Sequence, residues 1–213
     1  MKLIEPSYEI LTFINHEEIL KTIEKVARTC YKSENNISED TSSAERMISM
    51  LVLNGHEAMI EFQDIIVKFT SNRGFSHEMV RHRLCSFAQE STRYCNYSND
   101  KFDNQITFIR PYWFGKGFLK QEGAWDDQMR EVEDLYFSFV SAGLKPQDAR
   151  GVLPNDLKTE INVKANIREW RTIFKLRTAV AAHPDMRRLM IPLLKEFKSR
   201  LPILFNDIEV PNA

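Results

Sequence analysis

The chain has 213 residues, 43% of them hydrophobic and 11% aromatic, and 30 acidic side chains against 29 basic ones leave a formal net charge of −1. That is enough apolar material for a sizeable core, so one domain over residues 1–213, or at most two closely merged ones, is expected and a disordered chain is excluded. The balanced charge argues against a protein that grips a nucleic-acid backbone, no apolar run approaches the roughly 20 residues of a membrane helix, and the expected setting is the cytoplasm.

The three cysteines, Cys30, Cys85 and Cys95, are odd in number and lack zinc-like spacing, so reduced thiols are expected.

The first predicted element is a helix over residues 15–31. Ile19, Leu20, Ile23, Val26 and Ala27 recur at helical spacing, and Asn15 is placed to cap it. A second helix follows Ser42, which stands at capping-box distance from Glu45, and Gly55 is its stop. Residues 62–70 read as a strand with Ile65, Val67 and Phe69 on one face. Ser76 is then expected to cap a short helix carrying Glu78, Arg81 and Arg83. Residues 106–109 read as a strand closed by Pro111.

A long amphipathic helix is expected over residues 125–140, with Trp125, Met129, Val132, Tyr136 and Phe139 as its stripe and Gly143 as its end. Residues 158–164 alternate like a strand, with Ile161 and Val163 inward, and residues 167–180 like a helix. The last helix starts at Pro184 and buries Met186, Met190, Leu193 and Phe197, and Pro192 should kink or shorten it. Helices outnumber strands and do not alternate regularly with them, which points to an α+β fold.

Neither GxGxxG nor GxxxxGK[ST] occurs, and there are only seven glycines. A Rossmann site is therefore not expected, and any phosphate must be held largely by side chains. Arg81, His82, Arg83, Ser91, Thr92 and Arg93 offer the donors. On a helix, Glu78 and Arg81 share a face while Arg83 points elsewhere. On composition alone, a solvated face with weak ion pairs is the commoner outcome of such a cluster. His82 is the natural general-base candidate, Ser91, Cys85 and Cys95 are nucleophile candidates, and His16, His77 and His183 lack metal-ligand spacing.

The string RHRLCSFAQESTRY, residues 81–94, resembles the signature of the thymidylate-synthase-complementing family (ThyX), the flavin-dependent thymidylate synthases. That signature is RHR, seven residues, then Ser, here Arg81-His82-Arg83, LCSFAQE and Ser91. GHEAMIEF (55–62), DARGVLP (148–154) and NIREWRTIFKLR (166–177) resemble three further family segments, in the family's order.

The resemblance implies a single catalytic domain with a small, mainly antiparallel sheet packed by several helices. It implies reductive methylation of dUMP to dTMP. The carbon comes from 5,10-methylenetetrahydrofolate and the hydride from NADPH-reduced FAD, and tetrahydrofolate is released. It further implies a homotetramer with shared active sites, with no metal, nucleic acid or membrane involved.

By position, FAD contacts are implied at Arg81, His82, Arg83, Asn166 and Arg168, with His56, Glu61, Gln89 and Thr172 beside them. A dUMP shell is implied at Glu78, Arg81, Gln89, Glu90 and Ser91, and at Thr92, Arg93, Arg150 and Arg177. Within it Arg93 and Arg150 are the phosphate candidates. Arg177 is the implied catalytic residue, meeting the pyrimidine near N3 and favouring its ionised form. Two alternatives stand beside this reading: a non-catalytic nucleotide- or RNA-binding module, and a flavin-free methyltransferase with a cysteine nucleophile.

Overall fold

The computed structural model describes residues 1–211. Two short strands, β1 (Lys2–Ile4) and β2 (Ser7–Ile10), precede helix α1 (His16–Tyr31). The Asn15 side chain accepts the Glu18 N–H at 3.3 Å, so α1 is capped where the sequence places it. Helix α2 (Ser42–Leu53) starts slightly differently. Asp40 accepts both the Ser42 N–H and the Ser42 hydroxyl, which makes Ser42 the first helical residue and moves the N-cap to Thr41. Gly55 follows at φ +69°, a conformation that favours glycine.

Strand β3 (Asp64–Asn72) buries Ile65, Val67 and Phe69 completely. It runs straight into α3 (Arg73–Met79), and here the sequence expectation fails. The cap is Asn72, whose Oδ1 accepts the Phe75 N–H at 2.8 Å, and not Ser76, which is buried inside the helix. Starting earlier, α3 also ends earlier. Arg81 and Arg83 therefore lie in the turn beyond it, and Glu78 and Arg81 do not share a helical face. Strands β4 (Ser86–Gln89) and β5 (Thr107–Ile109) follow.

Helix α4 (Leu119–Ser141) begins six residues before the expected Trp125, and a short α5 (Pro146–Ala149) comes after it. Strand β6 (Lys158–Asn166) leads into α6 (Ile167–Arg177), then α7 (Pro184–Arg200) and α8 (Pro202–Phe205). Pro192 does not shorten α7, which runs 17 residues through it. Its ring is exposed, and a lost backbone bond on a helix's solvent side is tolerated there.

The fold is α+β, with a small antiparallel sheet as expected. Its four strands are ordered β2-β3-β6-β4, and β1 and β5 form a separate parallel pair with Lys2 opposite Thr107. No described helix is long and apolar enough to cross a membrane.

The chain groups into two compact units. The first holds Met1–Ser7, Phe69–Arg81 and Ala88–Asn162. Tyr97, Ile106, Phe108, Met129, Tyr136 and Leu157 form its core, and the Trp125 indole donates to Asp156 at 2.9 Å. The second holds Tyr8–Lys68, His82–Phe87 and the chain from Val163. Trp170, Phe174, Phe197 and Phe205 pack there at ring separations of 5.1 to 5.9 Å. Such tilted and edge-on pairs each add about 1 kcal/mol beyond their burial. The string 81–94 is thus divided: His82–Phe87 belong to the second unit, and the residues on either side belong to the first.

Candidate functional site

In the first unit, a cavity of about 360 Å³ is lined by Arg73, His77, Thr92, Arg150, Pro154 and Asn155, among others. Arg150 ends α5, and its Nη1 donates to the buried Thr92 hydroxyl at 3.1 Å. Arg73 opens α3, and its N–H donates to the Asn155 carbonyl at 2.9 Å, which ties the helix start to the cleft wall. Two guanidiniums, an imidazole and a hydroxyl on one small cleft form a donor set suited to an oxyanion.

Gln89, beside this cleft in sequence, is fixed by two buried hydroxyls. Its Nε2 donates to Ser76 at 2.9 Å and to Thr159 at 3.1 Å. Glu90 accepts from Lys158 at 2.9 Å, and Lys158 also pairs with Glu160 at 2.9 Å. Burial disfavours the Lys158 charge, but the hydrogen bonds to Glu160 and Glu90 outweigh it and hold its pKa above the usual lysine value. The Ser91 hydroxyl accepts the Arg93 N–H at 3.3 Å inside a turn. Arg93 itself is exposed and lies 5.6 Å from the Tyr94 ring centroid. Of the two expected phosphate ligands, the cleft lining includes Arg150 and not Arg93. Glu78 is half-buried on α3, and its carbonyl accepts the Arg81 N–H at 3.2 Å.

In the second unit, Arg177 at the end of α6 donates through Nε to His82 Nε2 at 3.0 Å. His82 Nδ1 lies 3.4 Å from Glu169 Oε1 in the first turn of the same helix. Burial first, and the Arg177 charge second, lower the His82 pKa from 6.5 to about 4. Burial raises that of Glu169.

A second cluster lies on the 310 turn Glu57–Phe62. Arg168 donates to Glu61 at 2.5 Å and lies 3.8 Å from Glu57, while Glu57 accepts from Arg171 at 3.0 Å. His56 precedes the turn and is exposed. Arg81 and Arg83 are exposed, and among the described residues neither pairs with a carboxylate. Two expected flavin contacts already have local work. Asn166 Oδ1 caps α6 by accepting the Glu169 N–H at 2.8 Å, and the Thr172 hydroxyl donates back to the Arg168 carbonyl at 3.3 Å.

The family model described as "Thymidylate synthase complementing protein" matches residues 12–203. The chain belongs to that family. A flavin-dependent thymidylate synthase from Geobacter sulfurreducens is 29% identical over 186 residues, 85% of this chain and 78% of that protein. Another from Pyrococcus furiosus is 29% identical over 198 residues, 89% and 79% of the two chains. Among solved structures, a UMP/dUMP methylase, PolB, from Streptomyces cacaoi bound with 5-Br dUMP has the same fold. Its TM-score is 0.80 at 17% identity, with 99% of this chain and 100% of that one covered.

Within this thymidylate-synthase-complementing protein, three groups escape a reading of the motifs. Arg73 and His77, four residues apart, line the cleft with Arg150. Glu169 faces His82. Arg171, only 2% exposed, binds Glu57, the Leu204 carbonyl and both oxygens of Asp207.

The cysteine in the signature is not primed as a nucleophile. Burial, then the Glu169 charge, push the Cys85 thiol up to about 12. Cys85 is expected to resist iodoacetamide at neutral pH in the native protein, and Cys85→Ser to retain turnover. Alkylation of Cys85 as fast as a free thiol, or loss of turnover in the variant, contradicts this.

The His82 shift also sets a pH dependence. The folded protein keeps His82 neutral down to about pH 4, while the unfolded chain takes up this proton near 6.5. The stability that His82 supplies is therefore present above pH 6.5 and is lost as pH falls toward 4, at up to about 1.4 kcal/mol per pH unit. Glu169, with its raised pKa, binds its proton earlier in the folded state and returns part of that loss at the acid end. Urea unfolding across this range should show a flatter profile for His82→Gln than for the native chain, and identical profiles would exclude the effect.

Proposed function

We propose that this chain is a flavin-dependent thymidylate synthase that converts dUMP to dTMP. The observation that carries the reading is the Arg150–Thr92 pair in the 360 Å³ cleft. It joins two separate family segments in an oxyanion donor set and suits the phosphate of a nucleotide. Arg73 and His77 add donors to that set. Gln89, held by Ser76 and Thr159, and Glu90, held by Lys158, are rigid polar groups for the remainder of dUMP, together with Glu78, Ser91 and Arg93.

FAD is the proposed cofactor, with NADPH as its reductant. The residues present fit it. Arg81 and Arg83 offer exposed guanidiniums to a diphosphate, and the exposed Arg168–Glu61 pair, with His56, Asn166 and Thr172, offers polar contacts. When bound, the flavin supplies the hydride chemistry that no side chain here can perform. Arg177 places a fixed positive charge for the uracil ring and stabilises negative charge developing on it. It acts electrostatically, because an arginine does not give up its proton. 5,10-Methylenetetrahydrofolate is the proposed carbon donor.

The family match at residues 12–203 runs through both compact units, which supports one catalytic domain. We assign it a homotetrameric, cytoplasmic enzyme. The test is an absorbance spectrum of purified protein with added FAD, followed by titration with dUMP. Bound-flavin bands that shift on dUMP addition are expected. No flavin binding, with salt-sensitive RNA binding instead, would replace this reading by a nucleic-acid module.

A further inference from the structure

We infer that Glu169 is a positioning residue for Arg177, acting through His82, which it holds as the neutral tautomer protonated on Nδ1. The role given to Arg177 rests on the proposed synthase reading, whereas the tautomer does not. Guanidinium N–H groups only donate. The 3.0 Å contact between Arg177 Nε and His82 Nε2 therefore makes Nε2 the acceptor. A neutral imidazole has one N–H, so the proton sits on Nδ1, the nitrogen 3.4 Å from the Glu169 carboxylate. An imidazolium would set an N–H against the guanidinium, and the lowered basicity of His82 agrees with that conflict.

Burial gives these contacts their weight. His82 is 6% exposed and Glu169 7%, so water competes little for either. A carboxylate in the first turn of a helix is comfortable in solvent, where the helix dipole already favours it. Burying it is costly unless a donor meets it, and His82 Nδ1, 3.4 Å away, is the nitrogen that faces it.

Helix α6 supplies the rigid frame. The Asn166 cap fixes the backbone at Glu169, and Trp170 and Phe174 are buried between Glu169 and Arg177. The eight residues from Glu169 to Arg177 span about 12 Å of helix axis. The His82 ring closes that gap between two long side chains. Without Glu169 the ring can turn or change tautomer, and an Nε2–H would repel Arg177 instead of accepting from it.

The first test is 15N NMR of the histidine side chains in the native protein with flavin added, His82 being assigned by loss of its signal in His82→Gln. At neutral pH, His82 should be the Nδ1–H tautomer. In Glu169→Leu, its signals should average between tautomers, and the Arg177 Nε–H should exchange faster. A native His82 that is an imidazolium or carries Nε2–H overturns the inference, with no variant needed. So do His82 and Arg177 signals unchanged in Glu169→Leu.

The second test is kinetic. Glu169→Gln should lower kcat for dTMP formation about tenfold with little change in KM for dUMP. Combined with Arg177→Lys, it should add less than twofold to the loss from Arg177→Lys alone. Fully additive losses would show that Glu169 acts elsewhere and would overturn the positioning role. Absence of turnover in the native protein would sink the synthase reading, and the NMR result would still decide the tautomer.

Discussion

Arg177→Lys is expected to lower the rate of dTMP formation by about 100-fold while FAD remains bound. Lysine keeps the charge but loses the planar fork and the Nε donor. In the native chain that Nε is fixed by His82 at 3.0 Å, which sets the direction of the guanidinium. A lysine ammonium cannot both reach His82 and present donors in one plane to a pyrimidine. The loss should appear in kcat, because the interaction strengthens as charge develops on the ring. Single-turnover rates measured alongside flavin content separate the two effects. Turnover equal to that of the native protein would remove Arg177 from catalysis.

The second large effect concerns stability. Arg171→Met is expected to cost about 3 kcal/mol, a fall in Tm on the order of 10 °C. Arg171 is 2% exposed and joins three elements: Glu57 on its 310 turn, the Leu204 carbonyl in α8, and Asp207 beyond it. Its loss leaves Glu57 and the carbonyl without their donor. The hydrogen bonds from Arg171 hold the Asp207 carboxyl below its usual range. Asp207 is 45% exposed, so Asp207→Asn should cost less, about 1 kcal/mol. Thermal unfolding of both variants checks the order. Equal losses would mean that the surface half of the network carries the stability.

Local physics decides which elements the sequence reveals. Asn15 caps α1 and Asn166 caps α6 because each stands just before an apolar periodic run, and Ile65, Val67 and Phe69 fall inward by simple alternation. The start of α3 is hidden because two residues compete to cap it. Asn72, at the end of a strand, wins over Ser76, whose side chain is buried and accepts from Gln89 instead. That single shift moves Arg81 and Arg83 from a helix to a turn. Asp40 displaces Ser42 at α2 in a similar way.

The candidate site was partly legible for the same reason. The signature residues Thr92 and Gln89 stand where a local motif places them. Arg171 had a signal that could have been used. With Ile167, Trp170 and Phe174 it occupies the i, i+3, i+4, i+7 stripe of α6, and an arginine on a buried stripe demands carboxylate partners. Arg73 and His77 also share a helical face, but nothing in the sequence shows that Arg150 faces the same cleft. His82 and Arg177 are 95 residues apart, and only the tertiary fold brings them together.

Flavin-dependent methylation of dUMP can be followed in one anaerobic reaction. Protein loaded with FAD and reduced by NADPH is mixed with dUMP and 5,10-methylenetetrahydrofolate without oxygen. dTMP is expected to form while the flavin returns to its oxidised spectrum, one nucleotide per flavin. No dTMP from a fully reduced, dUMP-saturated protein would contradict it, and so would equal dTMP formation by protein stripped of flavin.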